Sequence, residues 1–167
     1  MKTALYPGTF DPITSGHVSL ARRGCEIFDR LVVGVANDTT KKPLFTLEER
    51  VDLARGAFAH DPRVVVEPFE GLTVEFARRH GINVILRGLR AVSDFEYEFQ
   101  LALMNRRLEK KIQTIFMMTD YQWLYISSTM IKTAAAQGAD IKGLVPENVL
   151  KALREKFPEE YDKSHES

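Results

Sequence analysis

The chain has 167 residues, one domain's worth, enough to bury a core without disulfide or metal staples. Apolar residues make up 44% and charged residues 28%, the balance of an ordinary globule. Lys and Arg number 23, as do Asp and Glu, so zero net charge excludes a polybasic, charge-driven binder of nucleic acid or membranes, and any anion site must be a local concentration of cations.

The first apolar run, Ala4-Leu5-Tyr6, reads as a strand, and Pro7 and Gly8 follow before any signal-peptide apolar region could form. Gly8-Thr9-Phe10-Asp11-Pro12-Ile13-Thr14-Ser15-Gly16-His17 comes directly after it. Gly8 allows a sharp turn and a close ligand approach, Asp11-Pro12 fixes a turn, and Gly16-His17 open a helix whose N–H groups attract phosphate. An imidazole there can donate a hydrogen bond to a phosphoryl oxygen or carry positive charge onto it. Val18, Ala21, Cys25 and Phe28 share the inner face of that helix. Cys25 is the only cysteine, which rules out an internal disulfide and a zinc site built on several cysteines; its apolar surroundings predict a buried, inert thiol.

Leu31 to Ala36 gives the second strand, followed by Thr39-Thr40-Lys41-Lys42-Pro43, where a lysine can reach a phosphate from a strand's carboxyl end. Thr46 with Glu49 predicts a capping box for a helix that faces inward through Leu47, Val51, Ala54 and Phe58. Val64-Val65-Val66 and Val84-Ile85-Leu86 are the third and fourth strands. The fourth ends in Arg87-Gly88-Leu89-Arg90, two guanidinium forks suited to phosphate oxygens. Ser93 with Glu96 predicts a second capping box, with Phe95, Phe99 and Ala102 facing inward. Asp94 and Glu98 share one helix face and can orient the arginines or meet a ribose. Ile115 to Met118 is the fifth strand. In Trp123-Leu124-Tyr125-Ile126-Ser127-Ser128-Thr129-Met130-Ile131-Lys132, three hydroxyl residues precede an apolar helix and make a second phosphate-binding helix start. Pro146 opens a last helix carrying Val149, Leu150, Leu153 and Phe157, and the polar stretch from Pro158 to Ser167 is expected to fray.

Unbroken apolar runs alternating with helical patterns predict an α/β fold: a doubly wound, Rossmann-like, five-stranded parallel sheet with helices on both faces. One domain spans residues 1–157, with a tail over 158–167. A ligand then lies outside the carboxyl ends of the strands, where the unusual polar residues gather. No GxGxxG, GxxxxGK[S/T], GxSxG, HExxH or CxxC motif exists. No Ser-His-Asp or Cys-His nucleophile emerges, so the natural reaction is transfer by positioning and charge stabilisation. The longest apolar runs are too short to span a bilayer, which predicts no membrane association and a cytoplasmic protein with a reduced thiol.

Thr14-Ser15-Gly16-His17 and Ile126-Ser127-Ser128-Thr129 resemble the H/T-x-G-H and ISST-type signatures of the nucleotidylyltransferase superfamily. Collinear stretches extend the likeness: YPGTFDPITSGH, KKPLFTLEER, RGLRAVSDFEYEFQLALMNR and VPENV, within a span from about Ala4 to Phe157, resemble the bacterial phosphopantetheine adenylyltransferases. That resemblance implies transfer of AMP from ATP to 4′-phosphopantetheine, giving 3′-dephospho-coenzyme A and pyrophosphate, by a Mg²⁺-using homohexamer. It implies that Thr9 and Phe10 line the ATP site, with Thr9 also touching the acceptor phosphate, and that His17 binds the ATP phosphates and stabilises the transition state. Lys41, preferred to Lys42 on this ground, and Arg87 would hold the acceptor phosphate, with Thr73 beside the pantetheine arm. Gly88, Leu89, Arg90 and Glu98 would contact ATP. Trp123, Leu124, Tyr125, Ile126, Ser127, Ser128 and Thr129 would close over adenine and the β,γ-phosphates, with Asp94 and Asn105 nearby. His17, Thr9, Lys41 and Arg90 would carry catalysis. Thr133 departs from the family, whose members often carry Glu there. A transferase acting on nicotinamide mononucleotide or a cytidylyl acceptor would carry His at Thr14 and lack RGLR followed by DFEYE. A non-catalytic nucleotide sensor would have lost His17 or the two arginines.

Overall fold

The computed structural model describes residues 1–38, 40 and 42–163. Each apolar run becomes a strand: β1 (Thr3–Gly8), β2 (Arg30–Ala36), β3 (Val64–Phe69), β4 (Val84–Leu89) and β5 (Gln113–Met118). They form one parallel sheet in the order β3-β2-β1-β4-β5. The helices are α1 (Ser15–Gly24), α2 (Leu47–Ala57), α3 (Thr73–Arg79), α4 (Val92–Leu108), α5 (Ser128–Ala135), α6 (Glu147–Lys156) and α7 (Pro158–Lys163), with a 3₁₀ turn at Tyr121–Trp123.

Alternate residues of each inner strand serve opposite faces. Ala4, Tyr6, Leu31, Val33 and Val35 pack with Ala21 of α1, Val51 and Ala54 of α2, Ile131 of α5 and Leu150 and Leu153 of α6. Leu5, Val32 and Ile85 pack on the other face with Val74, Phe76 and Ala77 of α3. The sheet is thus covered on both sides, as its unbroken apolar strands require. Cys25 is buried at the C-cap of α1, and burial pushes its thiol pKa up.

The order reverses between β1 and β4. Those two strands pair in register at Leu5↔Ile85, whereas β1 pairs with β2 through six positions, Thr3↔Arg30 to Gly8↔Val35. Their carboxyl ends therefore part at the topological switch point, where open α/β sheets bind ligands.

Three local expectations are corrected. The Thr46–Glu49 capping box forms, but Ser93–Glu96 does not: α4 starts at Val92, with Ala91 as N-cap and no side-chain cap. The α4 apolar stripe faces outward; Phe95 is 44% and Phe99 46% exposed, while its buried residues are Glu98 and Asn105. Periodicity fixes which residues share a helix face, not what covers that face. Finally, α6 is not the last helix, because Pro158–Lys163 forms α7 where a frayed tail was expected. Tyr161 holds α7 down, with Arg154 over its ring at 5.6 Å and its hydroxyl 3.5 Å from the Ala139 carbonyl. Among the described residues, no helix is long and apolar enough to cross a membrane.

Candidate active site

A cleft of about 430 Å³ opens at the carboxyl ends of β1 and β4 and reaches the starts of α1 and α5. Its walls hold Thr9, Phe10, His17, Arg87, Gly88, Arg90, Glu98, Trp123, Ile126, Ser127, Ser128 and Thr129, all expected from the sequence. Leu89, Leu124 and Tyr125 do not line it, and the latter two side chains are exposed. Thr73 lines a separate hollow with Ala36, Asn37, Asp38, Phe69, Glu70 and Gly71, at the ends of β2 and β3. Asn105 is buried away from the cleft wall, while Asp94 and Lys42 are on it. Lys41 and Thr39 lie outside the described residues.

The loop after β1 is shaped by aromatic packing. Phe10 takes a left-handed φ of 49° and is 3% exposed, its ring edge-on to Tyr6 and His17 at 5.4 and 5.1 Å between centroids. A Cβ on Gly8 would sit 3.0 Å from that ring, so the close approach that makes glycine fit here is by Phe10 itself. On Gly16 a Cβ would meet Trp123 at 3.2 Å, so the start of α1 can lie against the 3₁₀ turn.

His17 occupies the third position of α1 and completes a capping box with Thr14, the place where Glu or Gln ordinarily stands. The Thr14 N–H donates to His17 Nδ1 at 3.0 Å, and the His17 N–H donates to Thr14 Oγ1 at 3.4 Å. A backbone N–H can only donate, so Nδ1 carries no proton and the neutral ring holds its N–H on Nε2. Burial, with Arg90 and Arg87 nearby, pushes the His17 pKa down to about 4. Of the two roles open from the sequence, neutral hydrogen-bond donor is the one this geometry supplies; fixed positive charge is not.

Three cleft cations each face a carboxylate. Arg87 donates from Nε to Glu98 Oε2 at 2.7 Å and from Nη2 to Glu98 Oε1 at 2.5 Å, and its Nη1 reaches the Pro7 carbonyl at 3.0 Å, where β1 and β4 part. Burial works against the Arg87 charge, but Glu98 outweighs it and the guanidinium pKa is raised. Arg90 Nε lies 3.4 Å from Asp94 Oδ2, and its Nη1 donates to the Ile126 carbonyl at 3.3 Å, tying β4 to the segment before α5. Lys132 Nζ donates to Asp11 Oδ2 at 2.7 Å.

Asp11 also accepts the N–H groups of Leu44 and Phe45 at 2.9 and 3.0 Å. Burial alone would push its carboxyl up; Lys132 and the Phe45 and Leu44 N–H groups outweigh that and hold it below the ordinary range. Behind it, Arg50 is 2% exposed and donates to the carbonyls of Phe45, Thr9 and Ala36 at 3.2, 2.7 and 2.8 Å.

The three hydroxyls before α5 divide the work. Ser127 accepts the Met130 N–H and caps the helix. Ser128 donates to the Pro12 carbonyl at 2.8 Å, fastening α5 to the loop after β1. Thr129 faces the cleft, and Thr133 Oγ1 donates back to the Thr129 carbonyl at 3.0 Å. Asp11 as a junction, Lys132 and Arg50 went unassigned in the sequence: contacts such as Lys132 to Asp11 span more than a hundred residues, beyond any local spacing rule. Thr14-Ser15-Gly16-His17 did contain the second capping box, with histidine in the position usually read for Glu or Gln.

Residues 5–134 match the family model described as cytidylyltransferase-like. The phosphopantetheine adenylyltransferase of Nitratidesulfovibrio vulgaris is 68% identical over 156 residues, covering 93% of this chain and 84% of that protein. That of Oleidesulfovibrio alaskensis is 66% identical over 156 residues, covering 93% and 92%. That of Solidesulfovibrio magneticus is 59% identical over 154 residues, covering 92% and 90%. With its parallel sheet and switch-point cleft, the chain belongs to the cytidylyltransferase-like family and, within it, to the phosphopantetheine adenylyltransferases.

Proposed function

We propose that this enzyme transfers the adenylyl group of Mg-ATP to 4′-phosphopantetheine, releasing 3′-dephospho-coenzyme A and pyrophosphate. A phosphate oxygen of the acceptor attacks the α-phosphorus in line, a new P–O bond forms, and the bond to the bridging oxygen of pyrophosphate breaks. The acceptor is already anionic, so the reaction needs no general base and no covalent enzyme intermediate. The observation that carries this reading is the fixed Nε2–H of His17, set among Arg87, Arg90 and the α5 start. A neutral donor and two guanidinium groups stabilise charge as it grows on the α-phosphate. Arg87, Lys41 and Thr9 receive the acceptor phosphate, and the hollow beside Thr73 takes the pantetheine arm. Arg90, Phe10 and Gly88 contact the nucleotide, and Trp123, Ile126, Ser127, Ser128 and Thr129 close over it.

Among the described residues, no cluster of three His, Cys, Asp or Glu could hold a metal ion, and Asp11, Asp94 and Glu98 each face a cation. In this reading Mg²⁺ would be carried in by the nucleotide, since it favours phosphate oxygens and water over an all-protein cage. The deciding experiment is pyrophosphate release from Mg-ATP with and without 4′-phosphopantetheine. Release that depends on that acceptor is expected. Release with a different phosphorylated acceptor alone would overturn the substrate, and ATP binding without turnover on any acceptor would favour a sensor.

The same reading includes a hexamer acting in the cytoplasm. Supporting self-association, Phe95 stacks on Phe99 at 5.6 Å and meets Phe116 at 6.0 Å, on an α4 face left open by the chain's own core. Apolar patches of this kind mark interfaces. Phe99→Glu is expected to reduce the mass measured by light scattering from an assembly to the monomer; an unchanged mass would place the interface elsewhere.

A further inference from the structure

Glu98 stands among the residues the family resemblance assigns to ATP, yet its surroundings point to a different partner. Both carboxylate oxygens are taken by Arg87, and the pair is enclosed, the side chains 10% and 24% exposed. A triphosphate would repel a carboxylate so engaged, and the part of ATP it could still meet is a ribose hydroxyl. The grip on Arg87, by contrast, is complete. Nε and Nη2 are held by Glu98 and Nη1 by the Pro7 carbonyl, across the gap where β1 and β4 part. A guanidinium has five N–H donors. Three are spent here, which leaves one on each terminal nitrogen for an oxyanion in the cleft.

We propose that Glu98 is a positioning residue for the acceptor: it pins Arg87 so that the two remaining N–H groups meet the phosphate of 4′-phosphopantetheine, and it acts on acceptor binding through Arg87. The proposal rests on the reading of Arg87 as an acceptor-phosphate ligand. Pinning removes the rotamer freedom that a long side chain would otherwise lose on binding. It also explains why a polar residue of α4 points inward while its phenylalanines point out. The helix delivers a buried carboxylate to the switch point, and Asp94, one turn earlier, lies against Arg90 through a single, more exposed side-chain contact at 3.4 Å.

Glu98→Gln tests this. Gln is the same size, but it offers one acceptor where Arg87 presents two donors, and its amide NH₂ opposes the other. The expected result is an acceptor KM raised about tenfold, the scale of one charge-assisted hydrogen bond, with the ATP KM unchanged. Calorimetric binding of 4′-phosphopantetheine without nucleotide should weaken in parallel. In an Arg87→Ala background the same substitution should add nothing to the acceptor KM, a result a general packing role would not produce. Glu98→Asp, which keeps the charge one methylene short, should follow the same split with smaller amplitude and serves if Glu98→Gln does not fold. A rise in the ATP KM alone, or effects that add fully in the double variant, would overturn the proposal. If Arg87→Ala raises the acceptor KM and Glu98→Gln does not, the proposal fails while the Arg87 reading stands. If Arg87→Ala leaves the acceptor KM unchanged, the Arg87 reading fails and takes this proposal with it.

Discussion

His17→Ala is expected to lower turnover by about 10²- to 10³-fold, the scale lost with one preorganised donor to a developing oxyanion. The substitution also removes half of a capping box, which costs about 1 kcal/mol of folding stability. His17→Gln separates the two effects. Glutamine at this position can rebuild the box with Thr14, so the melting temperature returns toward wild type. Its Oε1 accepts the Thr14 N–H, which leaves its NH₂ away from the place of the ring Nε2–H, so turnover stays low. Pyrophosphate release and thermal melts read the two quantities, and wild-type turnover in His17→Ala would remove the residue from the chemistry.

The same ring carries a pH signature. His17 is pushed down to about 4 from an ordinary 6.5. Between those values the unfolded chain binds a proton that the folded chain refuses. The contribution of this ring is therefore complete above the ordinary value and is lost as pH falls toward the lowered one. The gap in melting temperature between wild type and His17→Ala should narrow on acidification from about pH 7 to about pH 4, the window set by that shift. A constant gap would mean that the ring titrates as it does in water.

Arg50→Ala is expected to cost about 3–5 kcal/mol, through one buried and two half-buried carbonyls losing their donor and a void left in place of the guanidinium. For a chain of this size that lowers the melting temperature by about 10 °C. The damage should reach the site, because the carbonyls of Thr9 and Ala36 are the ends of β1 and β2 that Arg50 ties together. Arg50→Lys should recover only part of the loss, since an ammonium cannot reproduce the planar fork. A melt indistinguishable from wild type would show that water replaces the guanidinium at no cost.

The strands were legible because a parallel sheet buried on both faces demands unbroken apolar runs, and Leu31 to Ala36 has no other use. The cleft was legible with them, because a ligand site in such a sheet lies at the carboxyl ends of the strands. Gly16-His17 and Ser127-Ser128-Thr129 were legible as helix starts, for the same reason that phosphate favours them. The α4 stripe misled because Phe95 and Phe99 have the spacing of a core face, and nothing in a single chain says that another surface can serve. Ser93 failed as a cap because the helix begins one residue before it, at Val92. Nothing in the LEER stretch marks Arg50 as internal; only the packing of three strand and loop carbonyls around it makes it so. The division of Ser127 and Ser128 between capping and fastening depends on Pro12, far away in sequence.

Arg87, Arg90 and Lys132 each sit against a carboxylate, and His17 is neutral at ordinary pH. Their fields largely cancel beyond contact range, with Lys42 the lining cation outside such a pair among the described residues. A nucleotide in solution is therefore drawn in only weakly from afar, and its encounter rate should vary gently with ionic strength. Bystander anions such as inorganic phosphate are not concentrated at the entrance either. Discrimination falls to the last ångströms, where a ligand must offer oxygens in the places that the fixed N–H groups already face.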